Sequence, residues 1–308
     1  MNALAVLAAV VAVLGEGSVS FFDTSSGAML QQRELGDRGV ALFAAPDGRV
    51  LVPLQEADAT AVASVVGKGE RWPGRLFPLF FDEYDRMYVV LPGELVALSY
   101  PERAPLFRRP VPGLGGAWRA ASSADGRVVA VVPAAARAQL LVVAPGDERF
   151  ARTLALANPA SAVAVGPAGG WVVVGEEGGA VEVLSLAGSE RASLRLGGEV
   201  RGMALSKDGS LLVVALVGPR APQLVGVRIR GPEKPLQTRF ASPLGEEPVD
   251  LALTEEEALV LSASGVTVFS GFGRKLRGRF EVQGGRRVVV LPAQALSVVP
   301  DWGDRRER

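Results

Sequence analysis

The sequence contains neither cysteine nor histidine among its 308 residues. These absences exclude disulfides, thiolate chemistry, zinc sites built from cysteine and histidine, and histidine-ligated haem. They also exclude every Ser-His-Asp and Cys-His mechanism. The redox compartment stays open, because reduced and oxidising compartments both tolerate a chain without cysteine.

The chain also lacks an excess of either charge, since 33 basic residues balance 33 acidic ones. A nucleic-acid binder normally carries a clear basic excess, so we expect no nucleic-acid partner. Lysine occurs only four times and asparagine only twice. This bias is compatible with a thermophilic bacterial source and has no bearing on function.

What the sequence does contain is a repeat. Three stretches combine a short apolar run, a small residue, Asp-Gly and a β-branched run: Val40 to Val52, Arg119 to Val132 and Gly202 to Val214. Asp-Gly favours tight hairpin turns, and the flanking Val, Leu and Ala fit buried strands. The turn aspartates, Asp47, Asp125 and Asp208, are 78 and 83 residues apart, which is two units of about 40 residues each time.

Intermediate units occur where that spacing requires them, with turns near Asp85, at Ala168-Gly169 and at Glu255 to Glu257. Each of these hairpins is followed by a second one, and no segment keeps helical periodicity for three turns. We therefore predict an all-β, seven-bladed β-propeller with four-stranded antiparallel blades in a single domain. The predicted blade limits are 1–36, 37–75, 76–113, 114–157, 158–197, 198–242 and 243–282.

One first hairpin is left over at the carboxyl end, from Arg286 to Val299, with Pro292-Ala293 in the place of Pro46-Asp47. Propellers avoid an open blade edge by completing one blade from both ends of the chain. We expect residues 286–291, and also 295–299, to pair with the strands of 10–35 and close the ring.

The four-strand repeat with an Asp-Gly first turn resembles the WD40-like and YVTN-like β-propeller superfamily over nearly the whole chain. The Gly-His and Trp-Asp hallmarks of WD40 repeats are missing, and Phe22-Asp23 occupies a comparable strand end only once. The resemblance therefore implies the fold and assigns no subfamily. Propellers of this kind are mostly interaction platforms, and some are enzymes or cofactor holders.

Residues 3–14 form an unbroken apolar run that admits two interpretations. The run is too short for a membrane-spanning helix, which needs about 20 residues. Val10 to Leu14 suits a blade strand, which favours a cytoplasmic protein. The alternative is an export signal leading to the periplasm or cell envelope, although no basic residue precedes Arg33.

Catalysis without histidine would depend on carboxylates, arginines, tyrosines or serines. The carboxylates at Glu176-Glu177, Asp82 to Asp85 and Glu255 to Glu257 are interpreted as solvated turn residues, because they neither face one another across a cleft nor follow a calcium-loop pattern. The tryptophans fall at unrelated phases of the repeat and are expected to pack; they are Trp72, Trp118, Trp171 and Trp302. We predict no catalytic residue, no metal and no cofactor.

Polar residues at the start of the strands nearest the axis are expected to line the mouth of the central channel. Alignment on the turns predicts these channel-mouth residues: Arg38, Trp118, Arg119, Arg201 and Asp250. An aromatic ring and several arginines beside one aspartate suit an anionic ligand or an acidic peptide. In the alternative, these residues bind only channel water and one another.

The densest charge cluster is a basic patch of Arg274, Lys275, Arg277, Arg279, Arg286 and Arg287. In Lys275 to Phe280 the charges alternate with other residues, which predicts that they share one face of an outer strand. Charged edge strands discourage edge-to-edge pairing. The alternative is contact with an anionic protein or a membrane surface.

The predicted function is a non-catalytic interaction platform that binds a protein partner and is monomeric on its own. The first alternative is a histidine-free enzyme or small anionic-ligand binder that uses the channel mouth. The second is an exported cell-envelope assembly factor, which depends on the fate of residues 1–14.

Overall fold

The computed structural model describes residues 9–65, 68–76, 78–81, 86–91, 93–110, 117–123, 126–133, 137–144 and 147–291. Within these ranges the chain forms 28 strands in seven sheets of four. All strand pairs are antiparallel, and the sheets are arranged as the blades of a propeller, as the repeat predicts. No helix in these ranges is long and apolar enough to cross a membrane.

The blades are numbered along the chain, and each is described from its innermost strand outward. Blade 1 consists of β28 (Arg287–Val290), β1 (Val10–Leu14), β2 (Ser18–Asp23) and β3 (Met29–Glu34). Blade 2 consists of β4 (Phe43–Ala44), β5 (Val50–Pro53), β6 (Ala59–Ala63) and β7 (Glu70–Pro73). Blade 3 consists of β8 (Pro78–Phe81), β9 (Arg86–Leu91), β10 (Glu94–Ser99) and β11 (Pro105–Pro110).

The remaining four blades follow the same order. Blade 4 consists of β12 (Ala117–Ser122), β13 (Val129–Pro133), β14 (Gln139–Ala144) and β15 (Asp147–Ala155). Blade 5 consists of β16 (Ala160–Val165), β17 (Trp171–Glu176), β18 (Ala180–Ser185) and β19 (Arg191–Arg195). Blade 6 consists of β20 (Glu199–Leu205), β21 (Leu211–Val217), β22 (Pro222–Arg228) and β23 (Gln237–Pro243). Blade 7 consists of β24 (Pro248–Leu253), β25 (Glu257–Ser262), β26 (Gly265–Ser270) and β27 (Lys275–Glu281).

The predicted Asp-Gly turns join the first two strands of blades 2 and 6. Gly48 and Gly209 have φ angles of 78° and 73°, a region that glycine enters without steric cost. In both turns the aspartate side chain accepts a hydrogen bond from the backbone amide two residues later. The amide of Arg49 donates to Asp47, and that of Ser210 donates to Asp208, at 3.1 Å each. The turns predicted near Asp85 and at Asp125 lie outside the described residues.

Ring closure joins the two ends of the described chain. Strand β28 pairs antiparallel with β1, from Leu14 opposite Arg287 to Val11 opposite Val290. The prediction that residues 286–291 pair with the amino-terminal strands is thus confirmed, and Val10–Leu14 forms the second strand of blade 1. Residues 1–8 and the predicted pairing segment 295–299 lie outside the described residues.

The apolar core lies between neighbouring blades. The middle strands of each sheet are almost completely buried, and side chains of blade 1, such as Leu14 and Phe21, pack in one cluster with Val50 and Val52 of blade 2. The aromatic rings of Phe22 (blade 1) and Phe280 (blade 7) stack with centroids 4.8 Å apart across the closing interface. The blades are therefore held mainly by apolar burial between sheets.

Candidate functional site

The innermost strands share an irregularity that brings equivalent residues to one level of the channel. Each of β12, β16, β20 and β24 has a register shift near its beginning, which leaves one residue bulged: Trp118, Ser161, Arg201 and Val249. The residues after these bulges are Arg119, Ala162, Gly202 and Asp250. This is the same alignment that the turn positions predict.

Strand β28 continues the pattern in blade 1. The backbone amide of Arg286 donates to the carbonyl of Leu14 at 2.8 Å. In blade 2, the amide of Val40 makes the equivalent hydrogen bond to the carbonyl of Pro53 at 2.9 Å. Arg286 is therefore the counterpart of Val40, and Arg287 lies at the level of Arg119 and Asp250. Blades 7 and 1 are neighbours, and blade 4 lies opposite them, so three charged side chains converge from both sides of the channel.

Asp250 is the acidic centre of this group. Its Oδ2 accepts a hydrogen bond from the backbone amide of Val288 at 3.1 Å, and its Oδ1 lies 4.0 Å from Nη1 of Arg287. The side chain of Asp250 is only 20% exposed, and burial raises its pKa, although Arg287, the Val288 amide and Arg119 oppose the shift. The carboxylate is thus held in place by both a backbone amide and arginines.

Arg119 extends into the same region from blade 4. Its Nε donates to the backbone carbonyl of Ser161 at 3.2 Å. Burial lowers the pKa of Arg119 to about 10, with a further lowering from Arg287 and an opposing effect of Asp250. Because a pKa of about 10 is far above neutral pH, this buried guanidinium keeps its charge there.

The end of the ring where the innermost strands begin is here called the front face. Arg286 and Arg38 extend the positive charge toward it. Nη1 of Arg286 donates to the carbonyl of Gly39 at 3.3 Å. Burial lowers the pKa of Arg286, as do the nearby charges of Arg38 and Arg287, while Glu16 opposes them. Arg38 is exposed at this face. We call Arg38, Arg119, Asp250, Arg286 and Arg287 the channel cluster.

One of the predicted channel-mouth residues, Arg201, does not contribute to this cluster. Nη1 of Arg201 lies 3.1 Å from Oε1 of Glu199 on its own strand, and both side chains are more than two-fifths exposed. That ion pair neutralises Arg201. Trp118 lies on β12, but its side chain is outside the part of the chain that the structure describes.

The predicted basic patch is split by the fold into two distant groups. Arg274, Lys275, Arg277 and Arg279 lie at or in β27, the outermost strand of blade 7, whereas Arg287 begins β28, the innermost strand of blade 1, and Arg286 directly precedes it. The sequence predicts residues 286–291 as the closing strand, which is confirmed, but it also groups Arg286 and Arg287 with Arg274 to Arg279 in one basic patch. The idea of one contiguous patch is therefore wrong.

The outer group also departs from the predicted single face. A register shift between Val268 and Phe269 leaves Arg277 bulged, which interrupts the alternation along β27. Arg277 forms an ion pair with Glu257, and Nη2 of Arg279 lies 2.5 Å from Oε1 of Glu246. Carboxylates thus neutralise two of the four charges.

The interpretation of two acidic segments as solvated turns is wrong for one residue in each. Glu176 ends β17 with 1% exposure, and its Oε2 accepts a hydrogen bond from Nδ2 of Asn158 at 2.8 Å. Glu257 begins β25 and is also buried. Both have internal partners, which a local reading of a glutamate pair or run does not reveal. Asp82 to Asp85 lies outside the described residues.

The predicted packing role of the tryptophans is borne out for two of them. Trp72 is buried in the cluster between blades 2 and 3, and Trp171 packs against the core between blades 5 and 6. Trp302 lies outside the described residues. No group of three or more acidic side chains that could hold a metal ion occurs in the described ranges.

Comparison with known proteins supports the architecture. No protein-family model matches the chain, and no curated protein matches it. Among solved structures, it resembles apo AztD from Citrobacter koseri, with a TM-score of 0.66 and 12% identity over 92% of this chain and 97% of that one. A chain of the mitotic checkpoint complex has a TM-score of 0.67 and 12% identity over 85% and 87% of the two chains.

A chain of Kuenenia stuttgartiensis hydrazine synthase is also similar, with a TM-score of 0.66 and 15% identity over 82% of this chain and 89% of that one. The chain is a seven-bladed β-propeller. At these identities the likeness shows the fold alone, and propellers with unrelated roles share it.

Proposed function

We propose that this propeller is a non-catalytic platform that binds an acidic segment of a partner protein at the front face, over the channel cluster. The observation that carries the proposal is the convergence of Arg119, Arg286 and Arg287 with Asp250 at one end of the channel. Arginine clusters suit carboxylate groups, because each planar guanidinium can donate two parallel hydrogen bonds.

The charge balance of this end supports an acidic partner. Four arginines, including the exposed Arg38, face the carboxylates of Asp250 and Glu16. Arg286 donates to a neutral backbone carbonyl, and its charge lies close to those of Arg38 and Arg287. A patch with this excess attracts acidic segments from solution and accelerates their association.

A binding role also agrees with the state of the one carboxylate at the centre. Asp250 accepts the Val288 amide and lies beside Arg287, so its oxygens already have partners. A general base needs a carboxylate free to reach a proton on a substrate. The arrangement therefore favours electrostatic recognition over proton transfer.

The test is fluorescence anisotropy with a labelled oligoglutamate peptide and, as a charge control, a labelled oligolysine peptide. We expect the wild type to bind oligoglutamate and not oligolysine, with an affinity that falls as salt is added. The double variant Arg38→Gln/Arg286→Gln should bind about tenfold more weakly, because two unneutralised cations are lost.

The matched control is Arg201→Gln, which removes an arginine of the same ring that Glu199 already neutralises. Its affinity should stay within about twofold of the wild type. Equal binding by all three proteins, or no oligoglutamate binding by the wild type, would refute the proposal. Thermal melts of each variant establish that the proteins compared are folded.

A second candidate is a small polyanion bound inside the channel, which is favoured by the burial of Arg119 at the level of Arg287 and Asp250. In that case, citrate should raise the melting temperature of the wild type and displace the peptide, and Arg119→Gln should abolish both effects. If citrate displaces the peptide from the wild type but leaves the melting temperature of Arg119→Gln unchanged, this candidate is favoured over peptide binding.

We also propose a cytoplasmic location, since Val10–Leu14 is an internal strand of blade 1 and signal cleavage within this strand would divide it. Amino-terminal sequencing of the protein from its native cells tests this. A mature chain beginning beyond residue 8 would instead indicate export.

A further inference from the structure

A second positively charged site lies on the opposite face of the ring, called the back face, where the turns between the first and second strands are located. There, a cleft of about 640 Å³ opens between blades 6 and 7. Its volume is in the range of small-molecule sites. We call it the back cleft, and its basic lining residues are Lys207, Arg228, Arg239 and Arg274.

The acidic residues of the back cleft already have partners. Asp208 accepts hydrogen bonds from the hydroxyls of Ser206 at 2.6 Å and Ser210 at 2.7 Å, which lower its pKa. Lys207 lies 3.2 Å from Oε1 of Glu255. The positive charges of Arg228, Arg239 and Arg274 therefore exceed the negative charge that remains in the cleft.

Comparison of blades 6 and 7 explains why the positive charge of Arg239 is available in the back cleft. A register shift between Gly226 and Val227 leaves Arg239 bulged on β23, at the position that Arg277 occupies on β27. In blade 7 the bulged arginine forms an ion pair with Glu257, the first residue of β25. In blade 6 the first residue of the equivalent strand is Leu211, so the internal counter-ion is replaced by an apolar side chain.

The rest of the cleft combines apolar and cationic surface. Arg228 pairs across the sheet with Leu211, and Arg274 approaches from the turn of blade 7. Phe272 lies in the same turn with a φ angle of 60°, which is uncommon for a bulky side chain. Its amide donates to the carbonyl of Glu256 at 3.2 Å, and its half-buried side chain lines the cleft.

We propose that the back cleft binds a small phosphate monoester, with the phosphate on Arg228, Arg239 and Arg274 and the organic part against Leu211 and Phe272. A phosphate dianion matches several guanidinium groups better than a single carboxylate does, because it offers more acceptor oxygens and more charge. The site is independent of the channel cluster, which lies at the other face.

The probe is phenyl phosphate, titrated by calorimetry at a pH above the second phosphate pKa, with phenol as the uncharged control. We expect the wild type to bind phenyl phosphate and not phenol. Arg239→Gln should weaken binding about tenfold, because one charge-assisted contact is lost. Arg277→Gln, the equivalent change in blade 7, should leave the affinity within about twofold.

A sharper variant transfers the arrangement of blade 7 to blade 6. Leu211→Glu places a carboxylate where Glu257 stands relative to Arg277, so it should neutralise Arg239 and weaken binding at least as much as Arg239→Gln. Leu211→Gln removes the same apolar contact without adding a charge, so it should weaken binding clearly less than Leu211→Glu does. The proposal would be overturned if the wild type did not bind phenyl phosphate. It would also be overturned if Leu211→Glu and Leu211→Gln bound phenyl phosphate with the same affinity.

Discussion

Strands β27 and β28 follow each other in the chain, and arginines lie in β27 and at the start of β28, yet the two strands lie in opposite environments. Strand β27 is the outer edge of blade 7, where Glu257 and Glu246 neutralise Arg277 and Arg279. Strand β28 is the inner strand of blade 1, and the arginines at its start share Asp250 and Glu16. The same residue type forms ion pairs at the outer edge in one strand and a candidate binding site in the other.

The largest difference between the two strands should appear when a lysine replaces an apolar residue in each. Val288 of β28 is 3% exposed and Leu276 of β27 is 61% exposed. Val288→Lys places an unpaired charge in the closing blade and should lower the free energy of unfolding by about 4 kcal/mol. Leu276→Lys should change it by less than about 0.5 kcal/mol.

Urea denaturation measures both values, and Val288→Ala serves as a cavity control with an expected loss of about 1 to 2 kcal/mol. If Val288→Lys and Leu276→Lys were equally stable, β28 would not contribute to ring closure as its pairing with β1 indicates.

A smaller effect should separate two cations within β27. Arg277→Ala leaves the buried carboxylate of Glu257 without its ion-pair partner and should cost about 1 to 2 kcal/mol. Lys275→Ala removes an exposed charge from the same strand and should be nearly neutral. Chemical denaturation of the two variants compares them directly, and equal losses would show that the Glu257 pair contributes nothing specific.

The smallest predicted effect is a pH dependence with opposite signs in the two regions. Burial raises the pKa of Asp250, so the folded state holds its proton more tightly and this residue's contribution to stability falls as the pH rises above 3.8. Hydrogen bonds from Ser264 and Arg279 lower the pKa of Glu246 to about 2, so its contribution is lost as the pH falls from 4.5 toward 2.

Asp250→Asn and Glu246→Gln remove these two titrations separately. Between about pH 3 and 5, the stability of the wild type relative to Asp250→Asn should fall with rising pH, while its stability relative to Glu246→Gln should rise. Denaturant midpoints measured across this interval give the two slopes. Slopes of the same sign would contradict the contrast between the channel and the edge.

Much of the fold could be predicted because its signals are local. Asp47 and Asp208 form turns where Asp-Gly favours them, and the apolar runs on either side become buried strands. The channel level of Arg119 and Asp250 followed from alignment on the turns, since the bulged residues of β12, β16, β20 and β24 occupy matching positions in that alignment. The surplus hairpin likewise predicted the pairing of β28 with β1.

The predictions that failed concern charges whose partners are distant in sequence. Glu176 and Glu257 read locally as turn residues, but Asn158 approaches the first from the loop before β16, and Arg277 approaches the second from β27. Arg286 and Arg287 read as part of an outer patch because Arg274 to Arg279 precede them in the chain. Local composition does not show that the chain passes from the outer edge of blade 7 to the innermost strand of blade 1 between Arg279 and Arg286.

The sequence alone determined the number of blades, the Asp-Gly turns of blades 2 and 6 and the closure of the ring, because turn chemistry and alternating burial act over a few residues. The tertiary structure alone decided which arginines meet a carboxylate, because the neighbours of a charge come from blades that are far apart in the chain. Arg239 and Arg277 show this most clearly, since they occupy equivalent bulges, while the equivalent strand begins with Leu211 in blade 6 and with Glu257, the partner of Arg277, in blade 7.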